Sequence, residues 1–228
     1  MRLNRTGAVA GVLYLAAGLA WLALGEPENA WLVGAWLLIV AAFGCAIPGV
    51  ANHVSLGRAY LAAPAFVYAL AGEFAFLAVA VAIAGLTDLL DGTLARRLAQ
   101  PSNFGGGLDP VVDGLFMGAL CVGLALGGAF PLWLALVVIG RYLLPAVGGG
   151  VLLAMGRRPE LRHTVTGQVS TTLILFLVGG VCLLRGLAQD SSGFVVAAEV
   201  VIPVVTLATF VHLAWAAARR PVGAAAGG

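Results

Sequence analysis

Residues 87–114 read TDLLDGTLARRLAQPSNFGGGLDPVVDG, and they hold four of the chain's five aspartates: Asp88, Asp91, Asp109 and Asp113. Asp88 and Asp91 close one apolar run and lie three residues apart, while Asp109 and Asp113 open the next and lie four apart. At helical spacing each pair shares one face. Pro101, Ser102, Asn103 and Gly105–Gly107 stand between them, a composition that suits a tight reversal. The stretch predicts two helices that meet at a membrane interface and bring four carboxylates together.

Four carboxylates at the edge of a low-dielectric medium repel one another, and left alone they take up protons or push the helices apart. Two divalent cations neutralise four such charges, and an all-oxygen donor set suits Mg²⁺ or Mn²⁺. Helix capping accounts for one or two of the aspartates, such as Asp109 near a helix start. It does not account for facing pairs in a chain otherwise almost free of Asp.

Outward from this stretch, the rest of the chain reads as membrane protein. Of 228 residues 61% are hydrophobic and 10% charged, against roughly 25% charged in a soluble domain. Long uncharged runs recur, each near or above the roughly 18–20 apolar residues that cross a bilayer core. The fold class expected is an all-α integral membrane protein of eight spans, at about 7–25, 31–49, 56–72, 74–94, 110–130, 132–155, 165–186 and 194–216. Residues 1–25 resemble a signal peptide at first sight, but the apolar run is long and no clear Ala-x-Ala site follows, so a retained span is expected.

The basic residues are twelve arginines and no lysine. With the N-terminus in the cytoplasm, Arg2, Arg5, Arg58, Arg96, Arg97, Arg157, Arg158, Arg162, Arg219 and Arg220 fall on or near the cytoplasmic side. Glu26, Glu28, Glu73 and Asp190 fall outside with Arg185, an asymmetry that places both termini and the four motif aspartates on the cytoplasmic side. Arg141 and Glu199 lie within spans, so Arg141 is either a functional cation or the structural partner of Glu199. Cys45, Cys121 and Cys182 lie in apolar runs and read as packing residues. His53, His163 and His212 are scattered and read as interface residues.

The aspartate stretch resembles the signature of the CDP-alcohol phosphatidyltransferase family, D-x2-D-G-x2-A-R-x8-G-x3-D-x3-D. Asp88, Asp91, Gly92, Ala95, Arg96, Gly105, Asp109 and Asp113 fill its eight fixed positions. The resemblance implies that Asp88, Asp91 and Asp109 ligate metal. It implies that Asp113 touches the second of two divalent cations, Mg²⁺ or Mn²⁺, and serves as general base. Gly92, Ala95, Arg96 and Gly105 then lie against the nucleotide and diphosphate. Gly92 and Gly105 read equally well as packing and turn glycines.

Asn52-His53-Val54-Ser55-Leu56-Gly57-Arg58 is similar to the Asn-x-x-Thr-x-x-Arg start of the family's first span, with Ser for Thr. The resemblance implies a six-span core over 48–216, an additional two-span hairpin over 1–47 with no functional account, and a short cytoplasmic tail over 217–228. The implied reaction moves a phosphatidyl group from CDP-diacylglycerol, or a similar CDP-linked lipid, to a hydroxyl acceptor with release of CMP. Leu108-Asp109-Pro110 resembles the glycerophosphate-accepting and cardiolipin-forming branches. Those branches place Ala-Asp-Lys around the last aspartate, where this chain has Val112-Asp113-Gly114.

A polyol phosphate acceptor needs cations, and Arg58, Arg141, Arg157, Arg158 and Arg162 are the candidates. Glycerol phosphate, inositol phosphate and phosphatidylglycerol all stay open as acceptors. The expected setting is the plasma membrane of a bacterium or archaeon, with no nucleic-acid polymer as partner; relatives commonly dimerise, which allows a homodimer. Two other classes remain, a transporter or channel with a cytoplasmic divalent-metal site and a catalytically inactive relative.

Overall fold

A computed structural model describes residues 4–98, 105–154 and 165–218. Among them are eight α-helices: α1 (Arg5–Gly25), α2 (Ala30–Gly44), α3 (Val50–Ala71), α4 (Phe74–Leu98), α5 (Gly105–Leu126), α6 (Leu132–Ala154), α7 (Val165–Gly186) and α8 (Ser192–Ala218). Four of them contain stretches long and apolar enough to cross a membrane: Arg5–Gly25, Asn52–Ala71, Thr166–Gly186 and Ser192–Trp215. The outer faces are as apolar as the core. Val196, Val200, Val204, Leu207 and Val211 line one exposed stripe of α8 at helical spacing, a surface that water does not tolerate and lipid does. The protein is an all-helical, multi-pass membrane protein.

Helix ends follow the punctuation of the sequence. Asn4 caps α1 by accepting from the Thr6 backbone N–H at 3.2 Å. Ahead of α3 stand Pro48 and Gly49, the latter at φ +91°, a conformation that favours glycine. Because of them α2 stops at Gly44, short of the expected 49. Asp190 opens α8 by accepting from the backbone N–H and hydroxyl of Ser192, and these bonds hold its carboxyl below its ordinary pKa.

The centre of the bundle is α3. It packs against α1, α2, α4 and α5, and 72% of its span is buried, against 11% for α1. One side meets α4 and α5 through Ala65, Tyr68 and Ala69, where Tyr68 stacks on Phe76 at 5.3 Å. The other side meets α2 through Leu56, Ala59 and Tyr60, packed on Val33, Leu37 and Val40. Glycines bring α3 and α5 close: a Cβ on Gly123 would stand 2.6 Å from the Phe66 carbonyl oxygen. Small residues of this kind substitute for a hydrophobic driving force between helices in lipid.

Candidate active site

Five helices contribute to one small cavity of about 20 Å³. Its lining is Arg58 of α3, Ala84 of α4, Asp113, Phe116 and Met117 of α5, Tyr142 of α6, and Thr171 and Leu175 of α7. At its floor the Arg58 Nε stands 3.1 Å from Asp113 Oδ1, with the arginine side chain 5% exposed and the aspartate 22%. Arg58 lies eight residues beyond the start of α3 and Asp113 eight beyond the start of α5. At 1.5 Å per residue both stand about 12 Å in from their helix starts. A guanidinium at that depth needs a counter-charge, and Asp113, the last aspartate of the motif and only partly exposed, supplies it.

Helix register relates the other motif positions to this floor. The helix α4 continues through the whole first half of the motif to Leu98, four residues past the expected end at 94. On it Asp88, Asp91, Gly92, Ala95 and Arg96 fall within an arc of about 140°, and Ala84, which lines the cavity, lies inside that arc. The helix α5 begins at Gly105, five residues before the expected 110, so Gly105–Gly107 form its first turn instead of a loop. Asp109 is therefore its fifth residue, past the capping positions, and stands one turn before Asp113 on the same face. Pro110 inside α5 has no N–H and leaves the Gly106 carbonyl without its helical donor.

The side chains of Asp88, Asp91, Gly92, Ala95, Arg96, Gly105 and Asp109 lie outside the described part of the structure, as do Arg157, Arg158, Arg162 and His163 altogether. Among the described residues no cluster of three or more His, Cys, Asp or Glu gathers. The one motif carboxylate that is described, Asp113, is an oxygen donor of the kind that suits Mg²⁺ or Mn²⁺, and its Oδ1 faces Arg58.

Arg141 is 6% exposed and does not pair with Glu199, the structural partner considered for it. Its Nη2 donates to the Gly167 carbonyl at 3.0 Å and to Thr171 Oγ1 at 2.9 Å, clamping α6 to the first turns of α7. Its side chain extends toward the start of α7, whereas Glu199 belongs to the opposite end of α8. The Arg141 Nε and Nη1 are buried without hydrogen-bond partners, and its guanidinium carbon stands 5.1 Å from the centre of the Tyr142 ring. Tyr142 and Thr171 escaped sequence reading because a lone Tyr or Thr in an apolar run carries no signal of its own. His53, expected at an interface, is buried, and its Nε2 stands 3.0 Å from the Ile47 carbonyl oxygen. Cys121 and Cys182 are fully buried, Cys45 is half-buried, and all three are free thiols.

A larger cavity of about 500 Å³ opens at the far end, between the α5–α6 and α7–α8 connections. Glu199 lines it too, and two of its three charged groups are engaged in structure. Arg185 donates to Ser191 Oγ and stacks over Phe74, and Asp190 opens α8. Size favours this cavity, but the chemistry favours the small one, which lies beside the motif register.

A polytopic helical bundle with a buried arginine–aspartate pair and an acidic double motif at one end is the class defined by these observations. Residues 49–218 match the CDP-alcohol phosphatidyltransferase family, and the chain belongs to it. It is 34% identical over 140 residues to a probable cardiolipin synthase (CMP-forming) of Drosophila melanogaster, covering 58% of this chain and 44% of the relative. It is 31% identical over 144 residues to a probable phosphatidylglycerophosphate synthase of Mycobacterium tuberculosis, covering 62% and 65%. A third relative is the CDP-diacylglycerol–glycerol-3-phosphate 3-phosphatidyltransferase of Bacillus subtilis, 32% identical over 114 residues, covering 50% and 55%. The matched stretch thus spans 44% to 65% of these relatives' lengths.

Proposed function

We propose that the protein transfers a phosphatidyl group from CDP-diacylglycerol, or a similar CDP-linked lipid, to the hydroxyl of a polyol phosphate, releasing CMP. The observation that carries this reading is the Arg58–Asp113 pair, set where the registers of α4 and α5 converge. Asp88, Asp91, Asp109 and Asp113 would hold two divalent cations, Mg²⁺ or Mn²⁺. Bound there, the cations would neutralise the carboxylates and the diphosphate.

Asp113 accepts the proton of the acceptor hydroxyl, its carboxylate held in place by Arg58. The acceptor oxygen bonds to the lipid-side phosphorus as the bond from that phosphorus to the bridging oxygen breaks, and CMP leaves with the bridging oxygen. Arg96 holds the diphosphate, and Gly92, Ala95 and Gly105 leave room for the nucleotide. A cavity of 20 Å³ holds neither nucleotide nor lipid, so the reacting groups sit between it and the motif end of α4 and α5. Its role is to be the floor that fixes Asp113.

Arg58 is engaged with Asp113, so the acceptor's phosphate falls to Arg141, Arg157, Arg158 and Arg162. Arg141 offers two buried donors, Nε and Nη1. The name of the Bacillus relative specifies glycerol-3-phosphate, and the Leu108-Asp109-Pro110 motif agrees with that branch. The missing Lys after Asp113 separates this chain from it and keeps inositol phosphate open. All eight helices cross the plasma membrane in this reading, with α1–α2 an addition to a six-span core. Both termini and the motif face the cytoplasm, where CMP is released into water. A homodimer is compatible with the exposed apolar faces.

The test is CMP release by purified protein with CDP-diacylglycerol and Mg²⁺ or Mn²⁺, against glycerol-3-phosphate, inositol-1-phosphate and phosphatidylglycerol in turn. Release with one acceptor is expected. Solute or lipid flux in liposomes without CMP formation would favour transport instead.

A further inference from the structure

The hairpin α1–α2 precedes the stretch that matches the family, and its contacts with α3 are more specific than apolar packing. Trp36 Nε1 of α2 donates to the Ala59 carbonyl at 2.6 Å, and the Tyr14 hydroxyl of α1 donates to the His53 carbonyl at 2.9 Å. Tyr14 also stacks on Tyr60, with ring centroids 4.4 Å apart and planes 18° from parallel. A Cβ on Gly57 would stand 2.8 Å from the Tyr14 hydroxyl, so glycine there is what lets the tyrosine reach the backbone. Either bond satisfies a polar tip on a largely apolar side chain. Their significance lies in where they land, on carbonyls either side of Arg58.

Both carbonyls belong to helical turns, so they already accept from the residues four positions on, and the hairpin uses their second lone pairs. Such bonds add nothing to the continuity of α3. They fix its height and rotation against the hairpin. On its other side α3 is pressed on α5 at Gly123 and reaches α5 again through Arg58 and Asp113. We infer that the hairpin is a positioning element for the active site, with Trp36 and Tyr14 setting the axial register of α3 and so the seat of Arg58 on Asp113. This rests on the catalytic role proposed for Asp113.

The test uses full-length protein in which Trp36→Phe and Tyr14→Phe are combined, removing both donors and keeping both rings. The expected result is a fall in kcat of about tenfold with KM for CDP-diacylglycerol changed less than about twofold. In an Arg58→Gln background the same pair of substitutions should have no further effect, because the register they set has nothing left to seat. Amide hydrogen exchange over residues 110–117 of α5 should rise in the pair, although neither substitution touches α5. An unchanged kcat, an equal effect in the Arg58→Gln background, or faster exchange confined to residues 5–44 would overturn the inference. If the wild type releases no CMP, the functional reading fails, and the exchange of α5 still decides whether the hairpin positions it. If the pair does not fold, each single substitution removes one bond and supports the same comparison.

Discussion

Arg58 and Asp113 are worth more together than either is alone. Removing one partner of a buried pair leaves an uncompensated charge, at about 3–5 kcal/mol when both are enclosed. Asp113 is 22% exposed, which brings the expected loss for Arg58→Gln down to about 1–3 kcal/mol. Adding Asp113→Asn to Arg58→Gln should restore most of that stability while removing the activity that Arg58→Gln retains. Thermal unfolding in detergent, run beside CMP release, checks both halves. If the double variant is no more stable than Arg58→Gln, the pair is not what holds this floor together. Sequence reading found both residues but not their partnership, because nothing in a single chain ties position 58 to position 113. It placed Arg58 beside the acceptor for the same reason.

Between helices, space is the deciding quantity. A Cβ at Gly123 would meet the Phe66 carbonyl oxygen at 2.6 Å and the Ala69 Cβ at 2.8 Å, and neither is the end of a flexible side chain. Gly123→Val should therefore destabilise by about 1–3 kcal/mol and lower activity by separating α5 from α3. At Gly34 in α2 no atom lies within 4 Å of an added Cβ. Gly34→Ala should stabilise by about 0.5–1 kcal/mol with activity retained. Melting temperatures of the two variants compare these directly, and a tolerated Gly123→Val would contradict the packing of α3 on α5. Arg141 acts at the same scale. Loss of its two bonds to α7 in Arg141→Leu should cost about 2–4 kcal/mol, read again from unfolding.

The number and order of helices were legible, because apolar runs and their breaks are written in the chain. Their ends were less so. Pro48 was visible, yet the long uncharged run hid the stop at Gly44. Pro110 was read as the start of α5, although the structure carries the helix back through three glycines to Gly105. Among the four motif aspartates that spacing singled out is Asp113, whose side chain the structure describes at the cavity. Tyr142, Thr171, Tyr14 and Trp36 were not legible, since their roles depend on which helices are neighbours, and that is fixed only by tertiary packing.

For the whole molecule, the central matter is which end faces the cytoplasm. The basic residues, the motif and both termini share one end in the proposed topology, and the larger cavity with Arg185 and Asp190 occupies the other. A cysteine introduced at Gln189 in a Cys45→Ser background should react with a membrane-impermeant maleimide in intact cells, and one at Ser102 only after lysis. Cys121 and Cys182 are fully enclosed and should stay silent in both. The reverse pattern would invert the topology and place CMP release outside the cell.

The measurement that bears most directly on the account is CMP release from CDP-diacylglycerol by wild-type and Asp113→Asn protein, each with Mn²⁺ and with chelator. Metal-dependent release by the wild type is expected, with a loss of at least about 10³-fold in the variant, the scale that follows when a general base and a metal ligand go together. Release that survives Asp113→Asn, or that persists in chelator, would contradict this expectation.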